Sequence, residues 1–431
     1  MKRTSTLIEN ITTAAMVRTV LAVLSLSLSL LAQSDSARIV GDVRDSSGQP
    51  LDGATVTVSD SQRGATRVLA TSTSGEYAVP NLAPGIYTII AEADGCKTVV
   101  RSGIEILVGQ DIRIDFVLET GEASEKITVT QATPIIDTVN DTLGGTLRNR
   151  QINDLPLNGR DFQNLLVLRP GVMRYPGGGI ASISANGLRS EFNNFIIDGI
   201  DNNDVYFGQS VINGSGVQGT PGTILPIDSI QEFNEQFSPT AEFGWRPGVI
   251  VNVGLKSGTN NFHGTGYEFE RNAALDARNY FNPAPNPKTL RMHQFGATSG
   301  GPIVAGKLFF FTGYEGVRSL VGLSQIFFTP ATVSLGGDPA NSIPDALSDL
   351  EAHGVAESAL SQRLATLFAT NDGGNPEGIL TNFPNTNRAD NGIAKVDYRA
   401  SDRNVLGATY VIGDSLQTEQ DQPMLDPRWR Q

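Results

Sequence analysis

The chain has 431 residues, of which 39% are hydrophobic and 18% charged, with 32 Lys and Arg against 45 Asp and Glu for a net charge of -13. That apolar fraction excludes a chain disordered throughout. The acidity, with no cluster of Lys and Arg, excludes nucleic acid as the partner and is otherwise a matter of solubility.

In chain order, the first feature is an export signal. Lys2, Arg3 and Arg18 are basic, Val20 to Leu31 is apolar with Ser interleaved, and Ala32 offers a small residue for cleavage before Gln33. Residues 1–32 are therefore expected to be removed, and Met16 opens a shorter version of the same signal. The apolar run is too short to span a bilayer as a helix, which takes about 20 residues. Next, short alternating segments run over Ile39 to Arg44, Ala54 to Val58, Arg67 to Thr71, Glu76 to Val79, Ile86 to Glu92 and Ile112 to Leu118. Asp45-Ser-Ser-Gly, Thr73-Ser-Gly and Leu82-Ala-Pro-Gly stand between them as turns. The spacing predicts an antiparallel β-sandwich over 38–118. Cys96 has no partner for a disulfide and reads as a small buried apolar residue. The sandwich has no histidine and no distinguished carboxylate pair. Tyr77 and Tyr87, which could stack on a sugar, alternate as core residues do.

A polar, acidic linker, Glu119 to Glu125, leads to Ile127-Thr-Val-Thr, the first strand of a second unit. Phe162, Leu165, Leu166 and Arg169 fall at helical spacing and Pro170-Gly171 ends that helix. Phe195-Ile-Ile, closed by Asp198-Gly199 and resumed at Ile200, reads as a hairpin. Val249, Val251, Val253 and Leu255 keep the period of a strand, and Ser257-Gly-Thr-Asn-Asn turns the chain into another. Asp198, Asp201 and Asp204 with Asn202 and Asn203 lack the ligand spacing of an EF-hand and read as turn chemistry.

Past Asn261 the alternation changes character. Thr265, Tyr267 and Phe269 oppose Gly266, Glu268 and Glu270, and Ala394, Val396, Tyr398 and Ala400 oppose Lys395, Asp397 and Arg399. Apolar-out, polar-in strands of about ten residues are the pattern of a transmembrane barrel, although a soluble sheet with one wet face gives the same pattern. Further strands are expected over Arg291 to Gly300, Leu308 to Arg318 and Asn404 to Ile412, and a helical loop over Thr329 to Asn391 with a break at Gly354. Gly301-Pro-Ile-Val-Ala-Gly-Lys-Leu approaches a phosphate-binding loop. Leu308, however, supplies no hydroxyl for magnesium, and Phe309-Phe-Phe continues a strand. His263, His293 and His353 have neither metal-ligand spacing nor a partnered nucleophile, so no enzyme, cofactor or metal site is expected.

Five pieces in order carry a family resemblance: Leu155-Pro-Leu-Asn-Gly-Arg-Asp-Phe, Asn193-Asn-Phe-Ile-Ile-Asp-Gly-Ile-Asp-Asn-Asn-Asp, Ala241-Glu-Phe-Gly, Lys256-Ser-Gly-Thr-Asn and Arg271-Asn-Ala-Ala-Leu-Asp-Ala-Arg-Asn-Tyr-Phe. From about Arg38 to about Asp414 the chain resembles TonB-dependent outer-membrane receptors of the Oar-like branch, which carry a carboxypeptidase-regulatory-like (carbohydrate-binding-like) sandwich ahead of a plug. It departs from that pattern at Trp245-Arg246 and at Gly254, where small or β-branched residues are more usual. The resemblance implies a mainly β chain: the sandwich at 38–118, a small α+β plug at 124–260 and the first strands of an incomplete barrel at 261–431, with a long loop at 329–391. It assigns a structural plug motif to Asn186, Asp198, Gly199, Asp201, Glu242, Phe243, Gly244, Lys256, Ser257, Gly258 and Thr259.

The implied location is the outer membrane, with the sandwich in the periplasm. The implied partners are a TonB-type inner-membrane energy-coupling complex, outer-membrane lipid and an unidentified small or polymeric ligand, carbohydrate among the candidates. An energy-coupling peptide is expected near the plug's N-terminus, and no residues single it out. A surface or adhesion protein and a secreted glycan-binding sandwich are the alternatives. Such receptors close roughly 22 strands, and only about five are countable here, so the sequence is expected to be an interrupted or fragmentary product.

Overall fold

The computed structural model describes residues 37–122, 126–130, 143–155, 162–174, 183–204, 210–214, 222–237, 246–278, 280, 288–327, 343–365, 379–401, 404–420 and 428–430. The expected export segment lies outside them.

The first unit is built from β1 (Ala37–Asp45), β2 (Thr55–Asp60), β3 (Thr66–Ala70), β4 (Glu76–Leu82), β5 (Gly85–Glu92), β6 (Thr98–Ile106), β7 (Asp111–Arg113), β8 (Phe116–Leu118) and β9 (Lys126–Thr130). One sheet has the order β4-β1-β7, with β8 also on β1; the other has the order β3-β2-β5-β6-β9. Alternate residues of both sheets point inward, so Ile39, Val56, Ile89, Phe116 and Leu118 form one core. Cys96 is buried in that core with its thiol unpaired.

The sandwich departs from expectation in four ways, the first being that Ile127-Thr-Val-Thr, expected to open the second unit, lies in β9 and extends the sandwich's five-stranded sheet beside β6. β6 has a strand's composition in Thr-Val-Val-Arg-Ser-Gly-Ile-Glu-Ile and was not anticipated. The strand expected over 112–118 divides in two, because Asp115 turns to accept the Asp42 N–H on Oδ1 at 3.0 Å. The sandwich is mixed rather than antiparallel, since β7 and β8 run parallel to β1 and β9 runs parallel to β6. Tyr77 and Tyr87 are both buried, with hydroxyls donating to Ile114 O at 2.6 Å and Ala83 O at 2.7 Å. Burial pushes both phenols up, and neither ring is presented to a sugar.

The second unit holds β10 (Gly144–Arg148), α1 (Asn149–Asp154), α2 (Gln163–Leu166), β11 (Val172–Arg174), β12 (Ile183–Ala185), β13 (Asn194–Ile197), β14 (Ile200–Asp201), β15 (Ile230–Gln236) and β16 (Ile250–Leu255). The central sheet has the order β10-β15-β16-β13-β14, and β11 and β12 pair separately. The helix expected through Arg169 is one turn long, because Leu168 N–H and Arg169 N–H already bond three residues back before Pro170. One face of the central sheet is apolar, with Phe233, Val251 and Val253 in a core shared with Leu165 and Ile152.

The third unit is an antiparallel meander of β17 (His263–Asn272), β18 (Leu290–Val304), β19 (Leu308–Phe327), β20 (Ile379–Ser401), β21 (Asn404–Gln420) and β22 (Arg428–Arg430), open at both edges among the described residues. Between β19 and β20 lie α3 (Ile343–Ala352) and α4 (Ala359–Ala365), separated at Gly354 with φ 75. The loop expected over 329–391 ends earlier, at Ile379, because β20 pairs with the whole length of β19. The segment that resembled a phosphate loop is the tight turn between β18 and β19, closed by Lys307 N–H on Val304 O at 3.0 Å.

The core of the first unit draws on Ala37 and on Ile127 of β9 as well as on 38–118, so a fragment of residues 37–130 is expected to melt cooperatively. Phe116→Ala should cost it about 3–5 kcal/mol in chemical denaturation. A fragment without a cooperative transition would show that the sandwich borrows core from the central sheet.

Candidate functional site

The chemistry-bearing residues gather where the central sheet meets the wall of long strands. Asp198, with φ 48, and Gly199, with φ 77, close the turn between β13 and β14. Both angles lie in the left-handed region, which glycine and short polar residues tolerate. The turn is stitched to β16: Asp198 N–H donates to Val253 O at 2.9 Å, and Asp198 Oδ1 accepts the Leu255 N–H at 2.8 Å. The second oxygen, Oδ2, accepts from Lys395 Nζ of β20 at 2.6 Å. Both side chains are largely withdrawn from solvent, 16% and 11% exposed. Burial raises the Asp198 carboxyl above the usual range, and the Lys395 ammonium opposes that rise.

A second ionic group sits one strand connection away. Asp228 lies in a 3-10 turn, Ile227–Ser229, and accepts from Lys256 Nζ on Oδ1 at 2.9 Å. Its Oδ2 accepts from Thr298 Oγ1 of β18 at 2.9 Å and from the Thr265 hydroxyl of β17. Burial pushes this carboxyl up, but the hydrogen bonds from Thr265, Lys256 and Thr298 outweigh it and leave it below the usual range. Beside it, Ile224 N–H donates to Asn391 Oδ1 of β20 at 2.8 Å. Ser229 faces Gly313 of β19, where a Cβ would stand 2.5 Å from the Ser229 hydroxyl. Gly258 is pressed against backbone, with a Cβ there 2.6 Å from Gly301 O. Apolar contact completes the seam, since Phe311 and Ile393 of the wall belong to the same core as Phe233 and Val253.

Of the residues singled out in sequence, Asp198, Gly199, Lys256 and Gly258 lie in this seam. Ser257 is half-buried beside it, and Thr259 Oγ1 donates to Asn261 O at 2.9 Å. Asn186 stands apart, with φ 52, where its N–H donates to Gly171 O at 2.8 Å. Asp201 is exposed, and its Oδ1 accepts from Asn203 N–H at 2.7 Å, which is the expected turn chemistry. Glu242, Phe243 and Gly244 lie outside the described residues. No cluster of His, Cys, Asp and Glu that could hold a metal occurs among the described residues.

Asp228, Thr298, Asn391 and Lys395 were not singled out in sequence. The available signal was Lys395, a cation on the inward face of a barrel-like strand, where an ion needs a partner. On β20 the expected alternation holds, with Val396 and Tyr398 exposed on the face away from Lys395. On β17 it is inverted: Thr265 and Tyr267 face the seam, Tyr267 donating to Glu315 Oε2 at 2.8 Å.

Within the central sheet, Glu235 is fully buried on the core face, with Arg169 Nε 3.2 Å from Oε2 and off the line of a hydrogen bond. Burial pushes its carboxyl up to about 7, against the pull of Arg169. The folded state therefore holds this proton more tightly than the unfolded chain, whose carboxyl titrates near 4.5. This group's contribution to stability is greatest at low pH and declines as pH rises through about 7. Glu235→Gln should flatten the fall in melting temperature between about pH 5 and pH 8 in detergent, and an unchanged slope would refute it. Lys395→Ala should lower stability by about 3–5 kcal/mol by leaving Asp198 buried without a counter-ion. The pair Asp198→Asn with Lys395→Met should recover part of that loss, whereas additive losses in denaturation would show that the two ions do not act as a pair.

Residues 38–119 match the family described as the carboxypeptidase regulatory-like domain, and residues 254–427 match the outer membrane beta barrel domain. The TonB-dependent transporter Oar of Myxococcus xanthus is 28% identical over 296 residues, which are 65% of this chain and 27% of Oar. The chain thus spans about a quarter of that relative's length. Among solved structures, a ferric enterobactin receptor of Pseudomonas aeruginosa is 14% identical, with a TM-score of 0.35 over 64% of this chain and 33% of that one. The siderophore receptor PirA of Acinetobacter baumannii is 15% identical, with a TM-score of 0.34 over 67% of this chain and 42% of that one. Oar is a transporter, not an enzyme. The chain is a homologue of the TonB-dependent transporter Oar, and is itself an outer-membrane protein in which residues matching the carboxypeptidase regulatory-like domain precede residues matching the outer membrane beta barrel domain.

Proposed function

We propose that the chain acts as a TonB-dependent receptor: the central α+β unit is the plug, the long strands belong to the barrel around it, and the sandwich hangs in the periplasm. The observation that carries this reading is the seam, where the two ionic groups and the shared core seat the central sheet on the inward face of the strands. A seated plug blocks passage. Force from an inner-membrane energy-coupling complex would unseat it and let a ligand from outside move through. The ligand is unidentified, and the buried tyrosines of the sandwich give no support to a carbohydrate there.

The ionic seam suits a unit that must move. Asp198 and Lys395 attract each other while dry, and both are rehydrated once water enters, when an exposed pair holds by only about 0–1 kcal/mol. A wholly apolar seam would instead resist at about 25 cal/mol for each Å² exposed.

Ser229 is fully buried in the seam and so reports unseating. In a Cys96→Ala background, Ser229→Cys should react with a maleimide severalfold faster in energised cells growing on complex medium than in cells treated with a protonophore. Equal labelling in both would overturn the reading.

A further inference from the structure

The face of the central sheet turned away from the wall is also buried, and part of its cover comes from the sandwich. Glu232 of β15 and Gly254 of β16 are directly paired across the sheet. Over them sits the turn between β6 and β7, closed by Gln110 N–H on Leu107 O at 3.2 Å and tipped by Gly109 with φ 61. Val108, at its apex, is completely buried although it stands on a turn. Its N–H donates to Glu232 Oε1 at 2.5 Å. Its side chain lies over Gly254, where a Cβ would be 3.6 Å from Val108 Cβ. One residue thus supplies a donor to a buried carboxylate and a knob for the space that a glycine leaves. Gly254 is also where the sequence departs from its family pattern. A β-branched side chain there would crowd the knob.

Two further contacts cross the same boundary. Arg148 and Glu105 pair at 3.1 Å. Asn260 N–H donates to Gln62 O at 3.1 Å, while Asn260 Oδ1 accepts the Gly306 N–H of the β18–β19 turn at 2.7 Å. The sandwich therefore touches the central sheet beside Gly254 and the foot of the strand wall through Asn260.

We propose that the carboxypeptidase regulatory-like sandwich is an intramolecular clasp, which presses the central sheet against the wall through Val108 on Gly254 and Glu232. The sheet is then held on both faces: Phe233 and Val253 face the wall, Glu232 and Gly254 the clasp. If the central sheet is the plug, as proposed above, the clasp opposes its release, and lifting Val108 is a step that precedes unseating.

The geometry supplies the test. The Cβ separation at positions 108 and 254 suits a disulfide, whose Cβ atoms lie about 3.5–4.5 Å apart. In full-length Cys96→Ala protein in outer-membrane preparations, Val108→Cys with Gly254→Cys should form a disulfide under mild oxidation, seen as a reducible mobility shift absent from each single variant. No disulfide in protein that retains its folded, heat-modifiable mobility would overturn the clasp. A second readout needs no cysteine: Glu232→Ala in the full chain should speed hydrogen exchange at the Val108 amide by about tenfold or more, as loss of a bond to a charged acceptor predicts. Unchanged exchange there would equally overturn it. Neither measurement requires transport, so a failure of Ser229→Cys labelling bears on the receptor reading alone.

Discussion

A lysine on the inward face of a barrel strand needs an anion, and Lys395 finds one fixed in a turn of the central unit. Asp198 is held in a turn, not in a ladder, and its backbone and Oδ1 are already committed to β16. The remaining oxygen points at Lys395 by construction. Because β16 fixes that turn and β20 fixes the lysine, the pair sets the register between two sheets that share no backbone ladder. The Asp228 group repeats the arrangement with two hydroxyls, Thr265 and Thr298, from adjacent strands of the wall. The apolar contact of Phe311 and Ile393 with the central core follows from that register.

What could be read from the sequence was whatever depends on neighbours along the chain. The Asp198-Gly199 turn and the alternation of β16 are local patterns that appear where expected, and the wall has strands at each expected segment, although β20 begins inside the expected loop. The sandwich was legible as strands between turns, but its parallel pairs were not, because pairing of β1 with β7 is a fact about residues some seventy positions apart. The inverted polarity of β17 escaped for a related reason. Tyr267 reads as apolar until Glu315, on another strand, turns it into a hydrogen-bond donor on the inner face. Four of the residues singled out, Asp198, Gly199, Lys256 and Gly258, lie at the seam, and their partners across it carried no local signal. Lys256 stood out in the sequence, while Asp228, which gives it a role, is one aspartate among many.

Gly254 illustrates the limit from the other side. Within its own strand, a glycine contributes no side chain and loosens packing. Its consequence lies in another unit, where Val108 occupies the space. A single position can thus look like a defect within its own element and serve as a socket for a second one.

The two faces of the central sheet differ in how they would let go. On the wall side, charges and hydroxyls dominate the directed contacts, and water entering between them replaces what is lost, so resistance falls steeply once separation begins. On the sandwich side, the buried part of the contact is one valine and one hydrogen bond to Glu232, dependent on the fit at Gly254, with the exposed Arg148–Glu105 pair and the Asn260 bond to Gln62 O beside it. Apolar burial of that size amounts to about 1.5–3 kcal/mol, and the bond to the carboxylate adds a comparable amount. On the reading proposed above, the smaller contact would yield first under load, and the wall-side ion pairs would then separate into water that the opened gap admits. On the same reading, load that reached β9 would act on the sandwich side before it reached Lys395, because β9 is paired to β6, the strand that leads directly into the Val108 turn.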